Sequence, residues 1–199
     1  MNIDPPRLTR AAQAEATKAA ILASARRAFA ESGYEGAGLR GIAEGAGVTA
    51  MMVNRYFGSK EGLFAEVVAD SMRDPVIFAA GNLGADDLPR ALAEALVGVT
   101  APGVTPLDGF AILFRSANSP VAAGIARAQI AGAHHATATT LVSGDHPAER
   151  GALLLALVAG IQMMRQMIEL APLAQADPTI LADLLTPLIA TLLSRTASG

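Results

Sequence analysis

The segment LRGIAEGAGVTAMMVNRYFGSKEGLF, residues 39–64, restricts the fold more than any other part of the chain. Its apolar positions Leu39, Ile42, Ala43, Ala46, Val48, Val53 and Phe57 follow helical spacing with one break at Gly47. A helix over 39–45, a turn through Gly47 and a second helix over 50–57 satisfy that spacing, since each apolar stripe is buried only if the two rods fold against each other. Thr49 stands where its hydroxyl can accept a free backbone N–H of the second rod. The pattern is a helix-turn-helix. After Gly58, Ser59 caps a fourth helix with Lys60 and Glu61 in its first turn.

The flanking sequence extends the helical reading. Residues 9–32 place Ala20, Ile21, Ser24, Ala25, Ala28 and Phe29 on one stripe, and Gly33 ends it as a C′ residue. Pro5-Pro6 blocks a helix before Arg7, so residues 1–8 are expected to form a loose arm. Downstream the apolar pattern passes Val67 and Met72 before Asp74-Pro75 disturbs it, which predicts domains at 1–72 and 73–199. Val76–Ala80 is a candidate for a further turn. Breaker clusters at 82–87, 101–106, 119–120, 143–147 and 172–178 then separate about five helices. The last two, 148–171 and 178–195, are the most apolar. Ala and Leu dominate and period-two β-branched clusters are nearly absent, so an all-α fold is expected: a three-helix head followed by a larger helical domain.

The chain has 199 residues and no cysteine, which excludes disulfides, thiolate zinc sites and thiol redox sensing. Its beginning lacks the apolar core of a secretory signal, and the most apolar run, 151–164, is interrupted by Arg165 and Glu169 before reaching bilayer length. A cytoplasmic protein without membrane contact is expected. The net charge of −3 conceals a division: residues 1–60 carry eight Lys/Arg against five Asp/Glu, and the remainder seven against thirteen. A basic head suited to a polyanion and an acidic body follow.

No catalytic constellation emerges. His134 and His135 are adjacent and face different ways on a helix, and neither these nor His146 has a carboxylate or thiol at metal-ligand spacing. No enzyme activity, metal or cofactor is expected. Gly36-Ala37-Gly38-Leu39-Arg40-Gly41 fits a dinucleotide fingerprint, but it follows a helix rather than a strand and lacks the βαβ unit that makes the fingerprint work.

Residues 15–68 resemble the N-terminal DNA-binding domain of the TetR family of bacterial transcriptional regulators. The resemblance rests on Arg27-Ala28-Phe29-Ala30-Glu31-Ser32-Gly33-Tyr34, Ile42-Ala43, Ala46-Gly47-Val48-Thr49 and Tyr56-Phe57-Gly58-Ser59-Lys60-Glu61-Gly62-Leu63-Phe64. Leu113-Phe114-Arg115-Ser116, Arg150 and the stretch from Gly160 to Arg165 resemble the C-terminal domain of one branch more weakly. In such a head, Val53, Phe57 and Val48 bury one side of the recognition helix and leave Ala50, Met51, Met52, Asn54 and Arg55 for the major groove, with Thr49 as cap. Asn54 suits adenine edges or phosphate, Arg55 guanine or phosphate, and the apolar side chains thymine methyls. The resemblance implies a DNA contact at Arg40. Tyr56 and Lys60 flank a helix N-terminus whose free N–H groups favour phosphate. Family members often carry Tyr and His at positions 54 and 56, and Thr or Ser at 37 and 38, where this chain has Asn54, Tyr56, Ala37 and Gly38.

For the body the resemblance implies a small-molecule pocket, for which Phe78, Phe110, Phe114, Met163, Met164 and Met167, with Arg115, Asn118, His134 and Gln162 as polar points, are the candidates. Leu181, Leu184, Leu185, Leu188, Ile189, Leu192 and Leu193 give the last helix more apolar surface than one small body covers. Pairing the last two helices with their symmetry mates would bury it, as the resemblance implies. The expected function is a homodimeric, ligand-responsive regulator, most simply a repressor, on an inverted-repeat operator in double-stranded DNA. The alternatives are an architectural DNA-binding protein of this fold whose body only dimerises, and a helical enzyme with a degenerate head.

Overall fold

The computed structural model describes residues 9–101, 103–104 and 108–194; the arm expected at 1–8 and part of the 101–106 breaker lie outside the described residues. Among the described residues the chain is all helical, with no strand. The order is α1 (Arg10–Gly36), α2 (Leu39–Gly45), α3 (Ala50–Phe57), α4 (Lys60–Ser71), α5 (Ala80–Leu83), α6 (Leu88–Val99), α7 (Asp108–Ser116), α8 (Pro120–Ile130), α9 (Ala136–Thr140), α10 (Pro147–Gln162), α11 (Ala171–Ala174) and α12 (Pro178–Leu193). Two π-helical turns are inserted, Ala131–His135 between α8 and α9, and Met163–Met167 after α10. No helix of the described residues is long and apolar enough to cross a membrane.

Two compact units result. Of the described residues, those up to Ser71 together with Ala111–Ala126 form the first. Met72–Phe110 and the chain from Arg127 onward form the second.

In the first unit, α1 supplies Ile21, Ala25 and Phe29 to a core completed by Ile42 and Ala43 of α2, Val53 of α3, and Leu63, Phe64, Val67 and Val68 of α4. Each such side chain, fully withdrawn from water, contributes roughly 1.5–3 kcal/mol for the larger aliphatics and Phe. The Phe64 ring meets Phe29 and Tyr34 edge-on, with centroids 5.0 and 5.1 Å apart. Ser24, buried in α1, donates its hydroxyl to the Ile42 carbonyl at 2.8 Å and thereby ties α1 to α2. Lys18–Glu66 at 3.2 Å and Arg26–Asp70 at 2.5 Å brace α1 against α4 at the surface. Gly33 ends the regular part of α1 as expected: its φ of 66° is left-handed, and a Cβ there would stand 2.4 Å from the Arg115 carbonyl oxygen. The next residue, Tyr34, donates its backbone N–H to Ser116 Oγ at 2.9 Å.

The second unit is built on α6 against α12. Leu92, Ala93, Leu96 and Val97 face Leu181, Ala182, Leu185, Ile189 and Leu193, with Ala138 and Leu154 closing the core. Arg90 bridges the same pair by reaching Asp183 while also pairing with Glu94.

Three local expectations change. Val76–Ala80 is not one continuous helical turn: residues 76–79 lie outside any helix and the short helix begins at Ala80, because Asn82 Nδ2 donates to the Val76 and Ile77 carbonyls at 3.0 and 2.9 Å and so occupies oxygens that a helical ladder would need. The helix expected over 148–171 stays α-helical only to Gln162, passes through the π turn and stops before Glu169, whose φ of 53° is left-handed. The last helix ends at Leu193 rather than 195.

Candidate nucleic-acid interface

The head presents a short capped helix held on one side only. Thr49 caps α3 by accepting the Met52 N–H at 3.4 Å, Val53 is wholly buried, and Val48 and Phe57 are half-buried. On the opposite side Met51 is 80 % exposed, Asn54 and Arg55 are exposed, and Ala50, Met52 and Tyr56 are half-buried. Arg40 is exposed on α2. One helical surface therefore offers an amide, a guanidinium and apolar groups together, the set that reads base edges in a major groove.

The start of α4 lies at the end of α3. Gly58, at φ 76°, and Ser59 make the tight turn, with Ser59 Oγ accepting the Gly62 N–H at 3.2 Å. Here the structure adds a cluster that sequence reasoning missed. The Lys60 ammonium lies 4.6 Å from the centroid of the Tyr34 ring, and the Tyr34 hydroxyl donates to Glu61 Oε1 at 3.0 Å. Burial, then the bond to Glu61 and its charge, push the Tyr34 hydroxyl up to about 12. Glu61 is held below the usual carboxylate range by its own backbone N–H, then by the Ser59 and Tyr34 hydroxyls. Lys60 is thus steered by an aromatic face next to an ionised carboxylate. The available signal was Tyr34 directly after the helix-ending Gly33.

Of the pocket candidates, Phe78 is buried with its ring 6.2 Å from His134, whose partial burial lowers its pKa. Gln162 is buried, while Phe110, Met163, Met164 and Met167 are half-buried; all seven belong to the second unit. Phe114, Arg115 and Asn118 belong to the first unit and are exposed, and the Arg115 guanidinium donates to the Ala30 carbonyl at 2.6 Å.

A capped helix-turn-helix in a basic, all-helical head, joined to a helical body, defines a DNA-binding transcription regulator. Residues 21–67 match the profile described as bacterial regulatory proteins, tetR family, and residues 86–193 that of a tetracyclin repressor-like C-terminal domain. The chain belongs to the TetR family of transcriptional regulators. The HTH-type transcriptional repressor AcnR of Corynebacterium glutamicum is 50% identical over 44 residues, 22% of this chain and 23% of that protein. The match thus spans about a quarter of that relative's length. A TetR-family regulator from Streptomyces coelicolor A3 superposes with a TM-score of 0.58 at 25% identity, over 96% of this chain and 99% of its own. NalD of Pseudomonas aeruginosa, the secondary repressor of the MexAB-OprM multidrug efflux pump, shares the fold with a TM-score of 0.63 at 24% identity, over 94% and 100% of the two chains.

Proposed function

We propose that this regulator is a repressor that binds an inverted-repeat operator as a homodimer and is released by a small-molecule effector. The observation that carries the reading is α3: anchored by Val53 and capped by Thr49, it leaves Met51, Asn54 and Arg55 in solvent. Asn54 and Arg55 read bases, Met51, Met52 and Ala50 meet thymine methyls, and Arg40, Tyr56 and Lys60 bind phosphates. The unit that carries α3 also takes in Ala111–Ala126, and the sensing body is the second unit, Met72–Phe110 with the chain from Arg127 onward.

Dimerisation through α10 and α12 is supported by apolar side chains that the body does not cover. Ile180, Leu184 and Leu188 recur every fourth residue along α12 at 58, 62 and 53 % exposure, and Leu153 of α10 is 56 % exposed. Two-fold pairing buries this stripe and sets two heads on successive grooves. The effector enters among Phe78, Phe110, His134, Gln162, Met163, Met164 and Met167. It releases DNA by binding the two conformations unequally, by roughly 5.5 kcal/mol for a switch from 1:99 to 99:1.

A mobility-shift titration on the region upstream of the protein's own gene tests the reading, followed by candidate apolar ligands. Retardation that the ligand relieves is expected. Retardation that no effector alters would leave a purely architectural protein, and no retardation in dilute buffer would remove the DNA-binding role.

A further inference from the structure

Two arginines of the second unit are withdrawn from water, Arg150 at 8 % and Arg165 at 4 % exposure. Among the described residues neither pairs with a carboxylate; both turn to carbonyls at helix ends, where the macrodipole favours a cation. Their completeness differs. Arg150 spreads Nη1 and Nη2 over the carbonyls of Ser143, Asp145, Thr191 and Ser194 and so closes the end of α12. Arg165 uses Nε for the Leu173 carbonyl at 3.1 Å, and Nη1 for the Val97 carbonyl at 2.8 Å and Thr100 Oγ1 at 2.5 Å, while its buried Nη2 has no acceptor.

The same stretch of helix holds a second orphan donor. Gln162, 5 % exposed, leaves Nε2 without an acceptor three residues earlier. Gln166 is fixed by donating Nε2 to the Val99 and Val104 carbonyls at 3.1 and 3.4 Å, which leaves its buried Oε1 without a donor. Buried polar groups without partners are rare in native proteins, and a buried cation facing only neutral acceptors is costlier still. Capping α6 accounts for Nη1 of Arg165 and the Leu173 carbonyl of α11 for Nε, which leaves Nη2 unexplained. Among the described residues, three of the four buried side-chain atoms without a partner lie in or next to the π turn Met163–Met167, the fourth being Thr139 Oγ1, and such turns are found frequently at functional sites. Burial lowers the Arg165 pKa, and no carboxylate offsets it.

We propose that Arg165 Nη2 and Gln162 Nε2 receive the carboxylate of an organic monoanion, which is the effector of this regulator. One uncompensated positive charge and two free donor groups match a single carboxylate, whereas a phosphate dianion would call for more charge and more donors. Gln166 Oε1 then accepts from a donor group on the same molecule. The inference rests on the reading of the second unit as the sensing body.

The test is calorimetric titration of the full chain, in buffer free of carboxylates, with two matched pairs: benzoate against benzamide and octanoate against octanamide. At least one carboxylate is expected to bind about tenfold or more tighter than its amide. Arg165→Met should abolish that preference and Gln162→Leu should weaken it. Arg165→Met also removes the cap of α6, so if it fails to fold, Gln162→Leu, which removes the amide carrying the orphan donor and leaves that cap in place, keeps the comparison decisive. Equal affinity within both pairs, no binding of any of the four, or a preference untouched by Gln162→Leu would overturn the proposal. Operator binding by the same preparation is measured in parallel. Intact retardation without a carboxylate preference sinks the anion site alone, whereas absent retardation sinks the regulatory reading itself.

Discussion

Gly62→Ala sets two effects of opposite sign against each other at the turn that aims the recognition helix. Gly62 lies inside α4 without a left-handed φ, so in open space alanine would stabilise the helix by roughly 0.5–1 kcal/mol. The space is not open. A Cβ at this position would stand 2.2 Å from the carbonyl oxygen of Phe57, the last residue of α3, and 3.4 Å from its carbon. That oxygen already accepts the Ser59 N–H at 2.9 Å, so it is backbone held on both sides and cannot swing away as a side-chain tip would. Relief requires α3 and α4 to separate by about 1 Å, and overpacking of this kind costs roughly 1–3 kcal/mol. The steric term wins, for a net loss on the order of 1–2 kcal/mol after the helix gain is subtracted. Because the displaced element is the recognition helix, operator affinity should fall further than stability alone explains. Urea denaturation at fixed protein concentration, with mobility shift on the operator, measures both. Gly41→Ala and Gly98→Ala, where an added Cβ meets nothing within 4 Å, serve as controls and should be neutral or stabilising. A Gly62→Ala protein as stable as its parent, with undiminished affinity, would refute the reasoning.

Lys60→Ala should weaken binding to every duplex and reduce the slope of log affinity against log salt by about 0.9, as the loss of one phosphate contact requires; an unchanged slope would remove Lys60 from the interface. Leu184→Glu, at the centre of the exposed α12 stripe, should raise the dimer dissociation constant by roughly 30-fold or more, read by sedimentation velocity; an unaltered dimer would move the interface elsewhere. The Tyr34 hydroxyl titrates at about 12 in the folded chain against 10.0 for the ordinary group. Its stabilisation is therefore fully present below pH 10 and lost as pH rises toward 12, so Tyr34→Phe should flatten the alkaline limb of a pH–stability curve. The same limb in both proteins would show that another group controls it.

Much of the head was legible because its determinants are local. Thr49, Gly58 and Ser59 each act within a few residues of their place in the chain, and the spacing of Val48, Val53 and Phe57 identifies the buried side of α3 without reference to anything distant. The body was harder to read for physical reasons. A π turn keeps the composition of the helix it interrupts, so Met163–Met167 looks like five more residues of α10. Ending α5 at its upstream side depends on one amide, Asn82, turning back to two carbonyls. Arg150 and Arg165 look in sequence like charges that interrupt an apolar run, whereas in the fold they are caps, because their acceptors come from residues 41 and 68 positions away. The division of the pocket candidates between units had the same cause: the chain returns to the head at Ala111–Ala126, and no periodicity announces such a return.

That return has a practical consequence for anyone wishing to study the reading head by itself. A gene fragment encoding only the first 72 residues would keep every side chain of α3, yet it would omit the Ser116 hydroxyl that takes the buried Tyr34 amide and the guanidinium of Arg115 that ties off the Ala30 carbonyl. Excision at that point strips the amino-terminal bundle of its own clasp, and a minimal head has to carry the later segment with it, joined by a linker.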